Sequence, residues 1–162
     1  MRPLTIAILG AAALLAACSE TDSAVDPSAT AGAGNGTQAI DTVEYFNVVV
    51  GDRVFFDTDR HELSAEAQYV LSKQAQWFAA NPGATAIVEG HADERGTREY
   101  NLALGARRAN SARAFLISQG IDGNRLRTVS YGKERPVALG SDAQAWSQNR
   151  RGVTIVAGAP TS

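Results

Sequence analysis

From Phe46 onward the chain switches between runs of β-branched and aromatic residues and stretches whose apolar residues recur every three or four positions. That alternation restricts the fold more than any other feature. Each strand must find a paired neighbour, and each amphipathic helix must cover an apolar sheet face. Residues 46–57 carry Val48-Val49-Val50 and Val54-Phe55-Phe56, interrupted by Gly51-Asp52, and predict a strand ending near Phe56. Ser64 suits a helix N-cap, with Glu66 in the first turn and Ala67, Val70, Leu71, Ala75 and Phe78 at helical spacing until Asn81-Pro82-Gly83. A second strand is expected at 85–90, a long helix at about 97–119, a third strand at 127–131, a short helix at 142–149 and a last strand at 153–156. The order is βαβαβαβ, one sheet with helices packed on it, and about 115 residues suffice for such a core.

The segment ahead of this pattern has a different character. Residues 1–17 begin with Met1-Arg2 and continue through Leu4, Ile6, Ile8 and Leu9 into a run of Ala and Leu. A short positive region followed by an apolar stretch too short to span a bilayer is the layout of a signal peptide. It closes as Leu15-Ala16-Ala17-Cys18, which resembles a bacterial lipoprotein signal: an aliphatic residue, two small ones and an obligatory Cys. Small side chains at 16 and 17 let an extended backbone lie in a peptidase cleft, and the Cys18 thiol can accept a diacylglyceryl group. The resemblance implies removal of 1–17 and a lipid anchor on Cys18, each buried acyl methylene contributing about 0.8 kcal/mol. Ser19 stands where an Asp would signal inner-membrane retention, which points to the outer membrane, with the protein facing the periplasm. Residues 18–42 form the lipidated N-terminus and a flexible tether, centred on Ala31-Gly32-Ala33-Gly34-Asn35-Gly36. Its root-mean-square reach is roughly 25–30 Å. The folded domain is then 43–162.

Composition removes several function classes. Hydrophobic residues at 44% and charged residues at 20% fit a soluble globular domain, not wholesale disorder or a multi-span membrane protein. One Cys excludes an internal disulfide framework, a Cys-based zinc finger and an iron–sulfur cluster. The net charge of −2, from 15 bases and 17 acids, argues against a nucleic-acid binder. Residues 1–42 hold one base, Arg2, and four acids, Glu20, Asp22, Asp26 and Asp41, so the remainder carries 14 bases and 13 acids and is nearly neutral.

The chemistry concentrates after the second strand. Gly90-His91-Ala92-Asp93-Glu94-Arg95-Gly96-Thr97 places four ionisable side chains within five positions at the start of a helix, where unpaired N–H groups favour carboxylates. On a wheel of about 100° per residue, Leu102, Gly105, Ala109, Ala112 and Leu116 form an apolar stripe that Leu104 and Phe115 extend. Arg108 falls inside that arc, and a charge there needs a partner. Asn101, Leu104 and Arg108 share a face running toward Asp93. An acid and an arginine so separated suit a zwitterion, with its carboxylate on Arg108 and its ammonium on Asp93. The structural alternative is that Asp93 caps the helix and Arg108 makes an internal ion pair. No metal is expected, because His91, Asp93 and Glu94 gain no third soft ligand and His61 belongs to another segment. No cofactor is implied. Nothing marks Ser64, Ser111, Ser118 or Ser130 as a nucleophile, and Trp77 and Trp146 suit packing better than ligand stacking.

Four strings occur in order across roughly residues 53–157. They are Val88-Glu89-Gly90-His91-Ala92-Asp93-Glu94-Arg95-Gly96-Thr97; Glu99-Tyr100-Asn101 with Leu104-Gly105 and Arg107-Arg108-Ala109-Asn110; Ser130-Tyr131-Gly132-Lys133-Glu134 with Pro136; and Gln148-Asn149-Arg150-Arg151. Together they resemble the OmpA-like peptidoglycan-binding domains, as carried by the peptidoglycan-associated lipoproteins of Gram-negative bacteria. The resemblance implies an α+β fold, an OmpA-like βαβαβαβ sandwich with helices packed on one mixed β-sheet. It implies non-covalent binding of peptidoglycan through the diaminopimelate residue, with Phe56, Asp57, Asp93, Thr97, Asn101, Leu104 and Arg108 as binding residues. It further implies partnership with the periplasmic propeller protein and other components of the Tol system in envelope integrity and cell division. Two other classes stay open at this point. Flagellar stators share the fold but keep an uncleaved membrane helix with a functional acid, which the acid-free apolar segment here lacks. An enzyme acting on wall peptides would turn over muropeptides.

Overall fold

The computed structural model describes residues 41–157; Cys18, the expected signal and nearly all of the expected tether lie outside them. The elements are α1 (Val43–Tyr45), a π-helical turn (Phe46–Gly51), β1 (Arg53–Phe55), α2 (Ala65–Ala80), β2 (Thr85–His91) and α3 (Arg98–Ser118). A 3₁₀ turn (Gly123–Arg125), β3 (Leu126–Gly132), α4 (Ala143–Asn149) and β4 (Arg151–Ala157) complete the order. The expected helix starts hold at their caps: the hydroxyl of Ser64 accepts the Ala67 N–H and that of Thr97 the Tyr100 N–H, while the Asp142 carboxylate accepts the Ala145 N–H.

The four strands form one mixed sheet in the order β1-β4-β2-β3, with β4 antiparallel to both neighbours and β2 parallel to β3. The core lies between α2, α3 and the face carrying Val54, Ala86 and Val88, and includes Leu71, Phe78, Ala109 and Leu116. The fold is α+β, as the strand and helix periods require. Helix α3 lies close to β2 because two glycines face each other. A Cβ on Gly105 would stand 2.7 Å from the Gly90 carbonyl oxygen, and one on Gly90 would stand 1.8 Å from the Gly105 carbonyl oxygen.

Two expectations are corrected. The strand predicted over 46–57 is confined to Arg53–Phe55, and Phe46–Gly51 coils instead. In a strand, Phe46, Val48 and Val50 would share a face. Here Phe46 and Val50, four apart, are buried while Val48 is 71% exposed. Phe46 packs edge-on against Trp77 at 4.9 Å and Phe78 at 5.7 Å between ring centroids. Burial of one aromatic ring in that cluster outweighs the strand preference of three valines. Leu102, placed in the apolar stripe of α3, is 49% exposed. It sits at the arc's edge, where the backbone of Gly132 already abuts the helix.

Candidate functional site

The parallel β2–β3 pair shifts register between Gly90 and His91, and Ala92 N–H then bonds the Gly132 carbonyl at 2.8 Å. This turns the chain out of the sheet just before Asp93. Gly96, at φ +91°, reverses it so that Thr97 can cap α3. Lys133 Nζ pins the turn by donating to the carbonyls of Glu94 (3.1 Å) and Gly96 (2.7 Å). Asp93 therefore does not cap the helix; its Oδ1 accepts the N–H of Arg95 at 3.1 Å.

The Asp93 carboxylate is gripped by two guanidiniums. Arg95 reaches it with Nη2 at 2.6 Å and Nε at 3.2 Å, and Arg150 Nη1 lies at 3.4 Å. Burial alone would push the carboxyl up, but hydrogen bonds from Arg95 and Arg150 hold it below the ordinary Asp range. Arg95 is 40% exposed, lies over the Trp146 ring at 4.2 Å, and also donates to Thr58 Oγ1 at 3.3 Å. Trp146 Nε1 in turn donates to Glu94 Oε1 at 3.0 Å. Tyr100 donates its hydroxyl to Asp59.

Arg108 is fully buried, and its partners are carbonyls, not a carboxylate. Nε donates to Arg60 (2.8 Å), Nη1 to His91 (2.8 Å) and Nη2 to Asp57 (3.0 Å). Its guanidinium stands 5.2 Å from the Phe56 ring centroid. Burial pushes its pKa down to about 10, with Asp93 opposing the shift, so the group stays charged at neutral pH. Among the described residues Arg108 makes no ion pair with Asp93. The expected partner exists, but as three backbone carbonyls, two from the loop after β1 and one from the end of β2, that the arginine ties together.

Asp93, Asn101, Leu104 and Arg108 line one pocket of about 270 Å³, together with Thr58, Asp59, Arg95, Gly96 and Tyr100. Two carboxylates and two guanidiniums on its walls suit a zwitterionic guest. Asn101 is 1% exposed, and its Nδ2 ties the Arg95 carbonyl at 2.7 Å. Thr97 serves as the cap. Phe56 and Asp57 lie behind the pocket, one beneath the guanidinium and the other giving it a carbonyl. The expected set omitted Thr58, Asp59, Arg95, Tyr100 and Arg150. Arg95 and Arg150 stand in the charged strings, yet nothing in their spacing joins them to Asp93. Among the described residues no group of three or more His, Cys, Asp or Glu is placed to hold a metal, and no helix is long and apolar enough to cross a membrane.

A two-layer α+β fold with a charged pocket at the β2–α3 junction defines a class, and the model of the OmpA family matches residues 55–150. The peptidoglycan-associated lipoprotein of Rhizobium meliloti (strain 1021) is 52% identical over 157 residues, covering 97% of this chain and 89% of that protein. The Haemophilus influenzae protein of that name is 38% identical over 149 residues, 92% and 94% of the two chains. The crystal structure of the peptidoglycan-associated lipoprotein from Burkholderia pseudomallei superimposes with TM-score 0.64 at 40% identity, covering 65% of this chain and 90% of that one. The C-terminal domain of Helicobacter pylori MotB, at 20% identity and TM-score 0.61, shares the fold over 65% of this chain and 84% of its own. The chain belongs to the OmpA family and, within it, to the peptidoglycan-associated lipoproteins.

Proposed function

We propose that the chain is an outer-membrane lipoprotein, anchored through Cys18, that binds peptidoglycan without catalysing a reaction. In this reading 1–17 is removed, 18–42 tethers the domain, and the domain faces the periplasm. The ligand is the diaminopimelate residue of the stem peptide, whose free end presents an ammonium and a carboxylate. The names of the relatives support the wall as target.

One observation carries the chemistry: a buried, charged Arg108 in the same small pocket as Asp93. Three of its five N–H groups are committed, which leaves one on each Nη for a ligand carboxylate. Asp93, held ionised, receives the ammonium, and Asn101 and Leu104 shape the wall between. Phe56, Asp57 and Thr97 contribute by holding Arg108 and α3 in place. Two or three charge-assisted hydrogen bonds, each net about 1.5–3 kcal/mol, set a single-site Kd nearer micromolar than nanomolar. Many wall sites and a membrane-confined domain make retention firm while each contact exchanges. The family resemblance extends the role to the Tol system, through its periplasmic propeller protein, in envelope integrity and division.

Cosedimentation of the full chain with isolated sacculi tests the site. Asp93→Asn keeps the shape and removes the charge, and should reduce bound protein at least tenfold while free diaminopimelate competes with wild type. Undiminished cosedimentation of Asp93→Asn overturns the assignment. Cys18→Ser should release soluble protein; a variant still held in the membrane fraction refutes the anchor.

A further inference from the structure

Strand β1 is an outer edge of the sheet. On its inner side Thr154 N–H bonds the Asp52 carbonyl at 2.7 Å and Phe56 N–H bonds the Arg150 carbonyl at 2.9 Å. With Val54 opposite Gly152, antiparallel alternation turns the backbone groups of 52, 54 and 56 toward β4. The N–H and C=O groups of Arg53 and Phe55 therefore face outward, the row an added strand would use.

Along that edge runs a groove of about 640 Å³, separate from the Asp93 pocket and bounded by β1, the start of α2 and the end of α4. Val54, Phe56, Ala67 and Val70 make it partly apolar. Asp57, Glu62 and Glu66 also line it, and none of the three forms an ion pair with a described residue. The guanidiniums beside them are already engaged: Arg53 bonds Asp52 at 2.8 Å, and Arg150 bonds the Phe56 carbonyl at 2.9 Å and Asp93 at 3.4 Å. Among the described residues the groove thus offers an unpaired strand edge, apolar seats and three carboxylates held in no ion pair.

We propose that this groove binds an extended segment of a partner protein as a fifth strand on β1, with apolar side chains alternating with Lys or Arg. Main-chain pairing at Arg53 and Phe55 supplies the attachment, alternate apolar side chains enter beside Val54 and Val70, and the bases answer Asp57, Glu62 and Glu66. A second copy of this chain does not fit, since pairing β1 with β1 would bring two such acidic walls together.

The test uses the full chain, labelled with ¹⁵N, and a capped seven-residue peptide of alternating Val and Lys. The amides of Arg53 and Phe55 should shift and gain protection from hydrogen exchange. Phe55→Pro removes one outward N–H without touching the β1–β4 ladder and should weaken binding at least tenfold. Glu62→Lys with Glu66→Lys should weaken it at least fivefold, and a peptide with Glu in place of Lys should not bind. Where Phe55→Pro fails to fold, N-methylation of the alternate peptide residues that face β1 makes the same cut on the untouched protein and should abolish binding. Equal binding of the acidic or N-methylated peptide, or shifts confined to the Asp93 pocket, overturns the proposal. Asp93→Asn should leave peptide binding unchanged, so failure at the wall site and failure at this edge are separable.

Discussion

Replacing Arg108 with Ala should destabilise the domain more than any change to the acid across the pocket. The side chain is fully buried and bridges the carbonyls of Arg60, Asp57 and His91, so truncation cuts three hydrogen bonds from a charged donor. The His91 carbonyl lies in the buried bond, and leaving it unpaired costs about 1–3 kcal/mol. The other two bonds are part-buried, so entering water recovers some of their worth and about 1 kcal/mol is lost at each. Relief from holding a cation out of water offsets part of the total, which comes to about 3–5 kcal/mol with the contact on Phe56 included. Arg108→Lys restores the charge but not the fork that spans three carbonyls, and should lose roughly half as much. Asp93→Asn should cost only about 1 kcal/mol, because Arg95 on it is well exposed and the pair is screened. Urea unfolding of the three variants, followed by circular dichroism at fixed salt, reads these differences as midpoint shifts at constant slope. An Arg108→Ala variant within 1 kcal/mol of wild type would refute the view that this guanidinium organises the loops as well as the ligand site.

Gly90→Ala should be worse than an ordinary core substitution, losing about 3 kcal/mol or more, since its Cβ meets the Gly105 backbone and only a shift of α3 admits it; a melting temperature near wild type contradicts this. Burial, with Arg151 and Arg135 adding to it, lowers the His91 pKa from 6.5 to about 4, so between those values the unfolded state binds the extra proton and stability rises with pH. Wild type should therefore lose stability from pH 6.5 toward 4 more steeply than His91→Phe, and parallel slopes would remove the effect. Arg95→Ala should raise the Asp93 pKa, since the Arg95 side chain donates two of the hydrogen bonds that lower it, and a carboxyl titration by NMR that fails to move upward would show that Arg150 and the backbone N–H of residue 95 suffice.

Much of the fold was legible because local signals and tertiary packing agree. Ser64, Thr97 and Asp142 announce helix starts with side chains that satisfy real backbone donors, and Pro82-Gly83 ends α2 for steric reasons that no packing overrides. Residues 46–51 carry a local strand pattern but coil, because nothing local tells three valines that Phe46 has Trp77 and Phe78 to pack against. The site divided in the same way. Asp93, Asn101, Leu104 and Arg108 were legible from one loop and one helical face, where spacing translates into geometry. Arg150 was not, because it reaches Asp93 from a segment 57 residues away, and no period encodes a contact made by the strand order β1-β4-β2-β3. Arg108 shows the limit of wheel arithmetic: the wheel demanded a partner for a buried cation but could not distinguish a carboxylate from three carbonyls.

That distinction bears on how such a site would bind and let go. Had Arg108 been paired with Asp93, a zwitterion would have had to break a direct ion pair inside a small pocket and replace both halves at once. Instead the cation is preorganised by neutral carbonyls, which hold its geometry and leave its charge unneutralised, while the acid is covered by a displaceable arginine at the rim. A ligand carboxylate then meets a fixed, charged fork once the residues that cover it give way. A ligand ammonium must share Asp93 with Arg95 and Arg150, so its arrival partly exchanges one ion pair for another and adds less than the carboxylate end does, on the order of the tenfold that Asp93→Asn should remove. In the proposed reading the two ends of the pocket have different tasks, with Arg108 supplying the larger share of affinity and Asp93 a smaller share together with selection and release. A site built this way holds a ligand by one strong end, which suits a protein that needs many exchangeable attachments and no permanent one.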